Sequence, residues 1–96
     1  MASFSTSTLL KKADTLLEEF PQKIIRYIAM DYTLRNDVHN DFFLLRNELA
    51  RREDKYRGQP ELVAELDKAV DRLTQALTAM DFANMAIMRA EAIPAM

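Results

Sequence analysis

The sequence predicts an all-α protein: a long antiparallel helical hairpin with a short N-terminal helix folded against its open end, a coiled-coil-like three-helix bundle. Three observations predict it. The chain of 96 residues holds one Gly and three Pro, so little interrupts its regular elements. It is rich in Ala, Leu, Glu and Arg, which favour helix. Its apolar residues recur at alternating steps of three and four over long stretches, with no period of two that would mark a strand.

Residues 1–7 are mostly small and polar and are expected to be disordered, with Ser5, Thr6 or Ser7 available to cap the first helix. That helix is expected over 8–20, on the stripe Leu9, Leu10, Ala13, Leu16, Leu17 and Phe20. Pro21 disfavours helical geometry in the residue ahead of it and suits a new helix start. The second helix is expected over 21–57. Its seam reads Ile24, Ile28, Asp31, Arg35, Val38, Phe42, Leu45, Leu49, Arg52 and Tyr56, with Asp31 and Arg35 spaced to pair. "RND" at 35–37 leaves open a kink near Asn36. In "YRGQPE", Gly58 is suited to the left-handed closure of a helix and Pro60 to the first position of the next. The third helix is expected over 60–93, with the seam Val63, Leu66, Val70, Leu73, Leu77, Met80, Asn84 and Ile87. The whole is one domain of ordinary size.

The last of these helices raises a problem of cover. One strip of it carries Glu65, Lys68, Arg72 and Gln75 and then becomes Phe82, Ala83, Ala86, Ala90 and Ile93. Met85 and Met88 fall on other sides. The N-terminal helix, folded along the start of the second, is one source of cover, and another chain is the rival. At the far end of the hairpin the same geometry leaves two helices only. There Phe42 and Leu45 face the seam while Phe43 and Leu44 point away, which marks the latter pair as a contact patch.

Chemistry finds little foothold. Cysteine is absent and glycine solitary, which removes thiolate chemistry, disulfides and Gly-rich phosphate loops. The lone His39 has Asp37 and Asp41 two residues to either side, a spacing that spreads side chains around a helix. It is read as a surface residue, with no metal, no cofactor and no catalytic site expected. The net charge of −2 does not suit a nucleic-acid binder, and the basic residues of 46–57 are interleaved with acidic ones. No apolar run approaches the roughly 18 residues of a membrane span. "MASFSTSTLLKK" lacks the order of a secretory signal, so a cytoplasmic protein is expected, although a loose Ser/Thr-rich start also fits export without a cleaved signal. Asn84 on the third seam has two readings: a buried polar residue that sets coiled-coil register, or an edge residue reaching water or backbone.

What remains is surplus apolar helix surface. The function expected is non-enzymatic: a small helical adaptor or chaperone that covers apolar helices of a partner, in a secretion or assembly system. In size and style the chain is similar to small acidic helical chaperones of bacterial secretion systems, though no motif is shared. The alternative is a structural subunit packing with its own copies into a homodimer or higher bundle. The interface residues expected are Phe43, Leu44, Phe82, Met85 and Met88.

Overall fold

The computed structural model describes residues 5–92, in three helices: α1 (Thr6–Ala29), α2 (Tyr32–Lys55) and α3 (Pro60–Ala92). Among the described residues there are no strands. The bundle measures 60 × 24 × 22 Å. Each helix packs on both others, so the α2–α3 hairpin and α1 share one core.

The fold class is as expected, but the first helix boundaries are not. α1 continues through Pro21 instead of ending at Phe20, and no break falls near Asn36. The chain turns at Met30 and Asp31. Asp31 is the N-cap of α2, its carboxylate accepting from the Leu34 N–H at 2.9 Å, and so it does not pair with Arg35. The physical reason lies in the apolar stripe. Leu9, Ala13, Leu17, Phe20, Ile24 and Tyr27 stay in phase across Pro21, and the core they line offsets the roughly 3 kcal/mol that an interior proline costs a helix. Helix α1 is therefore as long as α2 and lies along its whole length. Ser5 supplies the N-cap, accepting from the Thr8 N–H at 3.2 Å. Thr6 accepts from Arg52 at 2.9 Å, which holds the start of α1 beside the end of α2. Residues 1–4 of the segment expected to be disordered, and Ile93 at the end of the third helix, lie outside the described residues.

Gly58 also departs from expectation. No described residue has a positive φ, and a Cβ placed on Gly58 would meet open space. The turn closes instead through the Tyr56 N–H to Arg52 O at 3.0 Å and the Gln59 N–H to Tyr56 O at 2.8 Å. Around it, the Thr6 hydroxyl bonded to Tyr56, and then the Lys55 ammonium 5.5 Å from the ring centroid, draw the phenol pKa down.

The core follows the expected seams from Val38 onward, but ahead of the α1–α2 turn Tyr27 is buried in place of Ile28, which is exposed, as is Asp31. Phe42, Leu49, Leu66, Leu73 and Met80 are fully buried, and Phe20 meets Phe42 edge-to-face at 5.7 Å. Ala69 and Ala76, off the α3 seam, are also buried. Ala76 lies beside Leu17 and Phe20 of α1.

One acidic group sits awkwardly between α2 and α3. Glu53 has one carboxyl oxygen buried with no hydrogen-bond partner among the described residues. Desolvation, and then the nearby Asp67 carboxylate, push its pKa above 4.5. The folded state thus holds this proton more tightly than the unfolded chain does. The penalty is absent below about pH 4.5 and is complete once the pH passes the raised value. Glu53→Gln is expected to be more stable than the parent at pH 7 and to lose that advantage toward pH 4.5, as thermal melts at the two pH values would show.

Candidate functional site

Inside the bundle, near the α1–α2 turn, three helices meet through polar side chains. Tyr27 of α1 is buried, and its hydroxyl accepts from the Asn84 amide of α3 at 2.6 Å. The Asn84 carbonyl oxygen accepts from Arg35 Nε of α2 at 3.1 Å. Arg35 Nη1 donates to Met30 O at 2.6 Å, so its charge lies at the negative end of the α1 dipole. Arg35 is only 8% exposed. Burial pushes the Tyr27 phenol pKa up, and the Asn84 hydrogen bond and the Arg35 charge pull partly against it. Asn84, half-buried at the edge of the hairpin, thus spends its amide on side chains of the other two helices and not on backbone. It is the link that fixes α1 and α2 on α3.

His39 Nε2 donates to the Asp81 carboxylate across α2 and α3 at 3.1 Å, and its ring stacks on Phe43 at 6.3 Å. Among the described residues no group of three His, Asp or Glu side chains is placed to hold a metal ion. A cleft of about 240 Å³ opens beside this cluster, between Tyr32, Arg35, His39, Asp81, Asn84 and Met88.

The expected interface residues fall in separate places. Phe43 is half exposed, between His39 and the Arg46 guanidinium 5.9 Å from its centroid. Leu44 is exposed on the opposite flank of α2, at a cleft it lines with Leu9, Lys12 and Leu16 of α1. The pair does not form one patch. The two-helix stalk on which that patch rested is absent, because α1 reaches this end of the hairpin.

The late part of α3 differs. Phe82 is 67% and Met88 65% exposed, and Met85 between them is exposed too. Phe82 and Met85 line a shallow groove with Ala86, Arg89 and Ala90. Helix α1 does not cover this surface. It lies instead beside Ala76, next to Leu17 and Phe20.

The neighbouring strip of α1 was not singled out in sequence. The Asp14–Arg72 ion pair and the Tyr27–Asn84 bond set α1 parallel to α3. Ile25 and Ile28 lie eleven and fourteen residues beyond Asp14, close to three and four turns, as Ala83 and Ala86 do beyond Arg72. By that register Ile25 and Ile28 lie level with Ala83 and Ala86, and both are exposed. The signal was present in "IIRYI", but a helix boundary at Pro21 assigned those residues to the wrong helix.

No family model, curated protein or solved structure matches the chain. None of its described helices is long and apolar enough to cross a membrane.

Proposed function

We propose that the protein is a non-enzymatic interaction module, a helical adaptor or chaperone that receives an apolar helix of a partner protein on the late part of α3. The observation that carries this reading is the exposed Phe82 and Met85 along one groove of α3, with Met88 exposed on the side toward α2, on a bundle that has its own core. Two methionines give such a surface adaptable, polarisable side chains that fit partners of varied shape. Small Ala86 and Ala90 between larger neighbours leave room for a helix to lie close. The reading keeps the cytoplasmic setting expected above and needs no cofactor.

Cross-linking in extracts of the source cells tests it, with the double variant Phe82→Asp, Met85→Asp as comparison. The parent is expected to trap a discrete protein partner through α3. The variant is expected to lose at least about nine-tenths of that product, because each buried charge would cost several kcal/mol, while its helix content is unchanged. An identical product from parent and variant would remove α3 from the interface. The same change at Phe43 and Leu44 asks whether α2 contributes: loss of the product there, without loss of helix, would extend the surface across the bundle.

A further inference from the structure

The break between α1 and α2 has little local cause. Its two connecting residues, Met30 and Asp31, include neither Gly nor Pro. Their φ values, −76° and −71°, are already close to helical, and only ψ, at 156° and 169°, is extended. Turning two ψ angles to about −42° would join α1 and α2 into a single helix over 6–55. The steps of four and three from Ile24 through Ile28, Asp31, Arg35 and Val38 to Phe42 cross the break without a slip. What holds the chain bent is the Asp31 cap on Leu34, the Arg35 bond to Met30 O, and the docking of α1 itself.

A lone copy cannot straighten, since Leu9, Ala13 and Tyr27 would lose their cover. A second copy removes that obstacle. We infer that two copies exchange α1 about Met30 and Asp31, so that α1 of each packs on the α2–α3 hairpin of the other. The α1 contacts of the monomer are all remade, and only the hinge changes. Short connections favour such exchange, and it is a low-cost route to a dimer. The second copy is also favoured by what surrounds the hinge. Ile25, 72% exposed, and Ile28 precede it, and Tyr32, 74% exposed, and Leu34 follow it. In the exchanged dimer the two bundles meet end to end and the straightened helices pass side by side at this point, where Ile25, Ile28 and Tyr32 share one side of the helix and gain a surface to cover them. The inference goes beyond the adaptor reading and does not depend on it.

The chain has no cysteine, so a single engineered pair reports the exchange. Asp14→Cys with Arg72→Cys replaces an exposed ion pair between α1 and α3. A short bis-maleimide then links the two helices that are packed together, after incubation over a wide concentration range. Bent monomers give a product of one chain mass, and exchanged dimers give two chains covalently joined. We expect the two-chain product to grow with concentration. Asp31→Ala, which removes the cap, should raise the exchange constant about fivefold per chain. Tyr32→Pro keeps that cap and puts proline at the first position of α2, where it bars Asp31 from helical geometry. It should suppress exchange about a hundredfold. Only the one-chain product at every concentration, with Asp31→Ala included, overturns the inference. So does a two-chain product that a folded Tyr32→Pro variant leaves undiminished. Should Tyr32→Pro fail to fold, the concentration series in the parent and in Asp31→Ala decides.

Discussion

Phe42→Ala is expected to destabilise the bundle by about 3–5 kcal/mol, a large part of the 5–15 kcal/mol available to a domain of this size. The ring is almost fully buried, with its edge-to-face partner Phe20 on α1. Truncation would open a cavity at the meeting of two helices and strip Phe20 of its neighbour. The adjacent Phe43→Ala is expected to cost less than about 1 kcal/mol, since that ring is half exposed and rests on His39 and Arg46. Denaturant titration of the two variants side by side checks the contrast. Similar losses for both would mean that the two faces of α2 are not partitioned as the fold requires.

Arg35→Ala is expected to cost about 2–3 kcal/mol, because a buried, charged hydrogen-bond donor is removed from two half-buried acceptors. Met30 O and the Asn84 side chain would each lose a donor, and α1 would lose the cation at its negative end. The cost should depend on Asn84. In a double-mutant cycle with Asn84→Ala the two losses are expected to be less than additive, by about 0.5–3 kcal/mol. Strict additivity would show that the polar link is two independent contacts. Because the same residues hold α1 beside α3, Arg35→Ala should also speed hydrogen exchange in the last turn of α1 more than in the middle of α3.

Much of this fold was legible in the residues, and the reasons differ by element. The α3 seam was readable because its steps of three and four agree with the 3.6-residue turn from Val63 to Ile87, without a competing breaker. The hairpin turn was placed correctly on Pro60, but for a partly wrong reason, since Gly58 takes no left-handed conformation. The α1–α2 junction was misplaced because two local signals competed with one tertiary fact. Pro21 and Asn36 look like breaks by propensity, whereas the bend at Asp31 is held by a local cap together with the Arg35 bond to Met30 O and the docking of α1. That one boundary shortens α1, implies a two-helix stalk, puts the exposed Ile28 on a core seam and passes over Ile25. The exposed side chains on α3 were found all the same, because they depend on α3 alone. The Tyr27–Asn84–Arg35 link was beyond sequence reasoning. Its members come from three helices and meet only in the folded register.

The odd number of passes has a mechanical consequence. Residue 5 lies at the pole where α2 turns into α3, and residue 92 lies past the opposite pole, where α1 turns into α2. Tension applied through these two positions would run along the 60 Å axis and load the helix–helix contacts in shear, all together, rather than peel them one turn at a time. Placed in series with other domains, such a bundle is a strut that sets a distance and resists stretching, where a two-helix hairpin with its ends at one pole would unzip.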